Sequence, residues 1–281
     1  MNWENLTSKE FAQAVKETGV CIVAFGVIER HGDHLPLGTD FLNGHKLATL
    51  AAQKESAVVF PPFYFGQIYE ARCFPGTVTI SPRLLIDLIQ GVLDEIGRNG
   101  FKKIILFNAH GGNAYLLPFL AQCQLWEEKP YQVYYYQGDH NPDRIKKRNS
   151  LWETPLHGHA CECETSKTLY LHRNLVKMDQ IPAGTTEPLG RLNHLPSNFS
   201  GLTWYSNYPN HYVGDAQKAS YEKGKQLVAL EVEALVEFIK AVKADKVLPL
   251  LAKDFHERVK KLSLKIKKPK MQKRLYGRFL Y

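Results

Sequence analysis

The segment from Glu29 to Asp40 concentrates carboxylates and imidazoles directly after an apolar run. The run, residues 20–25 (VCIVAF), is typical of a buried strand, and the glycines and proline that follow it indicate a loop. Glu29 and His31 are two residues apart, so on an extended backbone they point to the same side, and Asp40 is near enough to fold back towards them. Carboxylate and imidazole are ligands that zinc, manganese and iron bind. The segment therefore predicts a metal site, and the alternative is a solvated polar loop.

A second candidate ligand, His110, also follows a short apolar run. Residues 103–107 predict a strand that runs into residues 108–113 (NAHGGN). The two glycines there let the backbone turn tightly and approach a ligand closely. Held at the strand end as a neutral imidazole, His110 could bind a metal. The alternative is a turn with an incidental histidine.

A third polar group opens a helix that the pattern predicts over residues 157–172. His159 and Glu162 are three residues apart and would share a helix face, whereas Glu164 would lie farther round. Acidic residues in a first helical turn also stabilise the helix dipole, which is the alternative role of either glutamate.

Predicted strands and helices alternate along the chain. The strands cover residues 20–26, 57–60, 103–107 and 132–137, and the helices cover residues 6–18, 41–55, 82–99, 114–126, 157–172 and 215–244. This order predicts an α/β protein with a mainly parallel central sheet flanked by helices. Ligands of such sheets bind beyond the carboxyl ends of the strands, where Asp139 would join Glu29 and the histidines.

Composition excludes several classes of protein. The 281 residues are 44% hydrophobic and 23% charged, which is ordinary for a soluble globular protein. No apolar run approaches the roughly 20 residues that span a bilayer, and the N-terminus lacks a signal-peptide pattern, so we expect a cytoplasmic protein. The five cysteines include the C-x-C pair Cys161 and Cys163, and they predict neither a disulfide framework nor a structural zinc knuckle.

Positive charge is concentrated at the C-terminus. Residues 251–281 hold eleven Lys and Arg against two acidic residues, while the whole chain has a formal net charge of +8. We therefore expect one α/β domain over residues 1–250 and a basic extension over residues 251–281. The extension could bind nucleic acid or an acidic partner, but a solvated extension that packs between subunits is the preferred interpretation.

Three motifs together resemble the creatininase family of metal-dependent hydrolases. They are residues 29–40 (ERHGDHLPLGTD), 108–113 (NAHGGN) and 159–166 (HACECETS), and residues 74–77 and 214–215 also match. The resemblance covers about residues 20–240, in the family order. It implies a single layered α/β domain and a small-molecule substrate. It also implies two divalent metal ions, with zinc foremost and manganese or iron as alternatives, and a homo-oligomer, which is a hexamer in the family.

The resemblance further implies which residues bind the metals. Glu29 and His110 would bind one ion, and His31 would bind the other. Asp40 would bridge the two ions. The second ion would then need one more carboxylate.

This chain departs from creatininase itself at that carboxylate. Creatininase has a glutamate two residues after the histidine of the second motif, and the corresponding residue here is Gly112. We assign Glu164 instead, with Glu162 as the other carboxylate that could complete the ligand set. The departure weakens the case for creatinine as the substrate.

Two metal ions about 3.5 Å apart can polarise a carbonyl and activate a water, which predicts hydrolysis of a C–N amide bond. His159 and Glu162 are the candidates for moving a proton to the leaving nitrogen. His34 would orient a metal ligand, and Asn113 and Asp139 would support the ligands or bind substrate.

The predicted substrates are small cyclic amides, formamide-like groups and short peptides. Hydrolysis of a sugar-like or cyclic carbonyl compound at the same metal centre is the alternative among enzymes. A binding protein that uses its basic tail is the alternative from a different class.

Overall fold

A four-stranded parallel sheet forms the centre of the fold. The computed structural model describes residues 1–183 and 186–265, with side chains as far as residue 262. The strands of this sheet are β1 (Val20–Phe25), β2 (Val58–Val59), β3 (Lys103–Asn108) and β4 (Gln132–Tyr136), in the order β2-β1-β3-β4. Every pairing in it is parallel, and Val20 lies opposite Lys103. The predicted α/β class with a mainly parallel sheet is confirmed.

Helices surround the sheet, and a small antiparallel pair of strands lies beside it. The helices are α1 (Ser8–Thr18), α2 (Thr39–Lys54), α3 (Pro82–Arg98), α4 (Leu116–Cys123), α5 (Pro142–Asn149), α6 (Glu162–His172), α7 (Thr203–Asn207), α8 (Tyr221–Ala244) and α9 (Val247–Lys265). The small pair is β5 (His157–His159) with β6 (Val213–Gly214).

The sheet is buried on both faces because successive side chains of a strand point to opposite sides. On one face, Val23 and Leu106 pack with α3 and α4. On the other face, Ala24 and Ile105 pack with α2 and α8. Burial on both faces explains why these strands are continuous apolar runs, and it leaves the strand ends as the place for polar groups.

Residues 157–161 are not helical, which corrects the helix predicted over residues 157–172. His159 belongs to β5, which pairs with β6, and α6 begins only at Glu162. Between them Ala160 has a φ of 56°, a left-handed conformation that interrupts any helix. His159 and Glu162 therefore do not share a helix face. The cause is a pairing with a strand more than fifty residues away, which a local pattern does not reveal.

Other helix ends also differ from the prediction. Helix α4 is shorter than residues 114–126, α8 begins at Tyr221 rather than at residue 215, and α5, α7 and α9 were not predicted. Helix α9 runs across residue 250, the predicted domain boundary. Residues 266–281, with most of the basic run, lie outside the described part of the chain. Within that part, no helix combines the length and apolar character needed to cross a bilayer.

Candidate metal centre

The loop after β1 folds back and brings the start of α2 beside the end of β1. The backbone N–H of Glu29 donates to the carbonyl of Leu37 at 3.0 Å. A Cβ on Gly26 would lie 2.3 Å from the backbone nitrogen of Phe41, so only glycine allows this approach. Asp40, in the first turn of α2, is thereby placed near Glu29.

His110, just after β3, joins these two carboxylates in what we call the first ligand group. Its Nδ1 lies 2.9 Å from Oε1 of Glu29 and 2.8 Å from Oδ2 of Asp40. Its Nε2 lies 2.9 Å from the carbonyl oxygen of Gln67. A neutral imidazole that donates its proton to this carbonyl presents the lone pair of Nδ1 to the two carboxylates.

His31, Asp40 and Glu164 form the second ligand group. Nε2 of His31 lies 3.1 Å from Oδ1 of Asp40 and 4.0 Å from Oε2 of Glu164. Asp40 therefore directs one carboxylate oxygen to each group. In each group, three ligand atoms lie within 4.8 Å of one another.

The first ligand group has the chemistry of a cation site. Oε1 of Glu29 and Oδ2 of Asp40 are buried and, when Nδ1 of His110 carries no proton, accept no hydrogen bond within the described residues. Buried carboxylate oxygens without a partner are costly, and carboxylates with imidazole are a ligand set of divalent metals. The residues present therefore fit a divalent cation.

The electrostatics of both groups also favour positive charge. Burial lowers the pKa of His110, but Glu29 and Asp40 outweigh burial and raise that pKa well above its usual value. Burial likewise lowers the pKa of His31, yet Asp40 above all raises it to about 10. Burial raises the pKa of Glu164. A divalent ion that binds to these groups would therefore have to displace protons from them.

His159, which the sequence predicts as a proton-transfer residue, lies beside both groups. Its ring centroid is 4.2 Å from that of His31, and its Nε2 is 3.8 Å from Oε2 of Glu29. Nε2 also lies 2.7 Å from the carbonyl oxygen of Arg30, an acceptor that orients the ring. Burial and the neighbouring His31 lower the pKa of His159 to about 3, so its imidazole is neutral near pH 7.

His211 reaches the centre although the sequence did not predict it. The indole N–H of Trp204 donates to its Nδ1 at 2.9 Å, so Nε2 carries the proton that Oε2 of Glu29 accepts at 2.6 Å. His211 is 182 positions from Glu29 and has a φ of 53°, in a loop-rich segment. The only signal near it was Gly214, a family landmark three residues later.

Two predicted site residues do not come to the ligand groups. Glu162 is fully buried, and its carboxylate accepts hydrogen bonds from the backbone N–H and hydroxyl of Thr154, at 2.9 and 2.6 Å, and from the ammonium of Lys223. It anchors a loop to α8, so its position does not support the expected role in proton transfer. Asp139 instead forms an ion pair with Arg144 at 2.9 Å.

The other two predicted supporting residues hold the loops around the centre. Nε2 of His34 lies 2.9 Å from the hydroxyl of Thr165, which is the neighbour of the candidate ligand Glu164 on α6. Asn113 accepts from the backbone N–H of Gln67 at 3.0 Å and donates to the carbonyl of Phe25 at 3.2 Å. His34 therefore ties the first loop to α6, and Asn113 ties the end of β1 to the segment that orients His110.

A pocket of about 680 Å³ opens onto the ligand groups. Glu29, Asp40 and Glu164 contribute to its lining. Phe199 and Trp204 contribute aromatic surface. We call this cavity the substrate pocket.

A parallel sheet whose strand ends carry carboxylate and imidazole groups beneath a pocket is the architecture of an α/β metal-dependent hydrolase. Residues 4–239 match the family model of creatininase, described as creatinine amidohydrolase. The chain therefore belongs to the creatininase family, a family of amidohydrolases, and the resemblance of the three motifs is confirmed.

The chain is also similar to individual proteins whose functions are named. The 3-dehydro-scyllo-inosose hydrolase of Thermotoga maritima is 26% identical over 267 residues, which cover 86% of this chain and 82% of that protein. The mycofactocin precursor peptide peptidase of Mycolicibacterium smegmatis is 29% identical over 239 residues, which cover 80% and 86%. A solved mutant creatininase of the Zn–Zn type is 21% identical and superposes with a TM-score of 0.73, over 87% of this chain and 98% of that one.

Gly112 leaves no room for the glutamate that creatininase carries at this position. A Cβ at residue 112 would lie 2.5 Å from the carbonyl oxygen of Gln67 and 2.5 Å from Nε2 of His110. A side chain would disturb the contact that orients His110. The carboxylate of Glu164 lies near His31 and Asp40 instead.

Proposed function

We propose that the centre binds two divalent ions, with zinc as the first candidate and manganese and iron as alternatives. Glu29 and His110 would hold one ion, His31 and Glu164 the other, and Asp40 both. The two oxygens of Asp40 that face separate ligand groups are the observation that carries this proposal. The similarity to a creatininase of the Zn–Zn type supports zinc.

Two such ions, when bound, polarise a carbonyl group and activate a water. The protein supplies the remaining functions. His159 is neutral and oriented by the carbonyl of Arg30, so it is our candidate for moving a proton to the leaving nitrogen. His211 orients Glu29, and the aromatic wall of the substrate pocket positions the substrate over the ligand groups.

We propose that the substrate is a small molecule with a C–N amide bond: a cyclic amide, a formamide-like group or a short peptide. A volume of about 680 Å³ is suited to such ligands. The similarity to a peptide peptidase favours short peptides. The space denied to a side chain at Gly112 argues against creatinine, because it removes the glutamate of creatininase.

A cyclic carbonyl compound with several hydroxyl groups is the second candidate substrate. The similarity to an inosose hydrolase favours it. The substrate pocket also offers hydrogen-bonding side chains, including Gln67, Ser200 and Asn207, that hydroxyl groups could contact.

A substrate panel tests the proposed reaction. Protein loaded with zinc, manganese or iron is assayed against cyclic amides, formamides, dipeptides and cyclic polyol ketones. We expect metal-dependent release of amine from amides, greatly reduced in His159→Gln. Turnover of the ketones alone would favour the second candidate, and no turnover by fully loaded protein would contradict both.

Assembly and location remain predictions. We propose a homo-oligomer, a hexamer as in the family, in the cytoplasm, with no nucleic-acid partner. Light scattering of the full chain and of a chain that lacks residues 252–281 would measure the size of the oligomer and show whether the tail contributes to its assembly.

A further inference from the structure

A second cavity reaches the ligand groups from the side of the sheet that α2 and α8 cover. It has a volume of about 300 Å³ and lies between α2, α5, α6 and α8 at the carboxyl ends of β3 and β4. Its wall includes Asp40, His110 and Glu164, which also line the substrate pocket. The ligand groups therefore stand between two cavities, and we call the smaller one the rear cavity.

Two buried acceptor atoms in the rear cavity have no donor within the described residues. Asn43 is only 5% exposed; its Nδ2 donates to the hydroxyl of Thr168 at 2.9 Å, while its Oδ1 is without a partner. Glu231 contacts the ammonium of Lys167 at 2.8 Å through Oε1, while its Oε2 is also without a partner. Buried acceptors of this kind bind water, and the cavity has room for about ten molecules at about 30 Å³ each.

Acidic partners neutralise the cations inside the rear cavity. Lys167 pairs with Glu231, and Arg144 pairs with Asp139 at 2.9 Å and with Glu237 at 2.6 Å. A cation that moves inward therefore passes Arg148 at the exposed end, then the paired charges, and reaches the carboxylates of the ligand groups last. The substrate pocket, in contrast, presents an aromatic wall.

We propose that the rear cavity is a second entrance, through which water and divalent cations reach the ligand groups without crossing the substrate pocket. Each hydrolytic turnover consumes one water, and a substrate that fills the front blocks that side. The polar, neutralised interior of the rear cavity supplies water and ions from behind. The inference rests on the proposed metal centre, because an ion must bind before its exchange can be followed.

Filling each cavity in turn tests the second entrance. Leu230 on α8 lines the rear cavity, and Gly201 lines the substrate pocket with open space where a Cβ would lie. We expect Leu230→Trp to slow the loss of zinc to excess EDTA about tenfold or more, because the larger side chain would close the path by which the ion leaves. Gly201→Trp should retain the wild-type rate, and the matched control Leu230→Ala should lose zinc no more slowly than the wild type. Slower loss in Gly201→Trp alone, or equal slowing in both tryptophan variants, would overturn the inference.

A charge reversal at the exposed end of the rear cavity provides a second test. Arg148 lines that end, and Arg148→Glu should speed zinc uptake by the metal-free protein severalfold at low salt, with the difference lost at high salt. Lys9→Glu on α1, away from both cavities, is the control with the same change in net charge. No acceleration in Arg148→Glu, or the same acceleration in Lys9→Glu, would overturn the inference.

The two tests also separate this inference from the proposed metal centre. Zinc content is measured first on the full chain. A protein that binds no zinc contradicts the metal centre itself, whereas normal zinc content with unchanged exchange contradicts only the second entrance. Because Arg148 is a surface residue, the uptake test remains decisive even if Leu230→Trp does not fold.

Discussion

The two ligand groups share Asp40 but are built differently. The first takes Glu29 and His110 from residues that follow two neighbouring strands of the sheet, and both side chains are buried. The second depends on Glu164 from the first turn of α6, whose side chain is 28% exposed and lies 4.0 Å from His31. The sheet therefore fixes the first group rigidly, whereas the second depends on loops that hold α6 in place. We expect the first ion to bind tightly and the second to exchange.

Removing the shared residue, Asp40, should abolish metal binding at both groups. Asp40→Ala takes one oxygen from each group, so we expect loss of both ions and of hydrolysis, beyond the roughly 10- to 100-fold effects of outer residues. Elemental analysis of dialysed protein measures the ions. Asp33→Ala, which changes an exposed carboxylate of the same loop, is the control. Two retained ions in Asp40→Ala would refute the bridging role.

Removing Glu164 should affect one group alone. We expect Glu164→Gln to retain one ion per chain and to lose the more weakly bound one, because the ligands of the first group stay intact. Zinc titration of the metal-free protein by calorimetry resolves the two steps. The comparison between the groups fails if both steps weaken equally, or if Glu162→Gln rather than Glu164→Gln removes the second step.

Acid should weaken zinc binding at the second group. The pKa of His31 is raised to about 10 in the metal-free protein, so at lower pH the ion must displace a proton. Zinc affinity of this group should therefore rise about tenfold per pH unit as the pH increases towards about 10. The same raised pKa gives the metal-free fold stability that is complete below about 6.5 and is lost as the pH rises through about 10. Titrations at pH 6, 7 and 8 that give one affinity would contradict this.

The hydrogen bond from His211 should strengthen the first group moderately. His211→Asn keeps a residue that tolerates a positive φ but removes the donor to Glu29, so we expect about 10-fold weaker binding of the first ion. Trp204→Phe keeps an aromatic ring but removes the indole N–H that fixes the ring of His211, and a smaller loss should result. Competition with a zinc chelator measures both variants. Equal weakening of both ions would show that the effect is not specific to Glu29.

Glu162 should affect stability and not metal binding. Glu162→Gln breaks a buried contact with Lys223 and should lower the free energy of unfolding by about 2–3 kcal/mol. Glu153→Gln removes the exposed partner of the same lysine and should cost less than about 1 kcal/mol. Urea denaturation measures both. A large loss of zinc in Glu162→Gln would restore Glu162 to the centre.

The sequence predicted the first ligand group better than its surroundings. Glu29 and His110 follow apolar strands whose parallel order places them at the same edge of the sheet, and the family resemblance supplied their assignment, with Asp40, to a shared ion. The contacts of His211 and Glu162 could not be predicted from local pattern, because their partners are distant in the chain. Glu29 is 182 positions from His211, and Lys223 is 61 positions from Glu162. His159 was placed on a helix because its pairing with β6 is also long-range.

Anomalous diffraction at the zinc edge, on crystals of the zinc-loaded protein, tests the central claim most directly. We expect two peaks in each chain, one in contact with Glu29, Asp40 and His110 and the other with His31, Asp40 and Glu164. The first peak should have the higher occupancy after partial chelation. A single peak, or a second peak that Glu164 does not contact, would contradict the account.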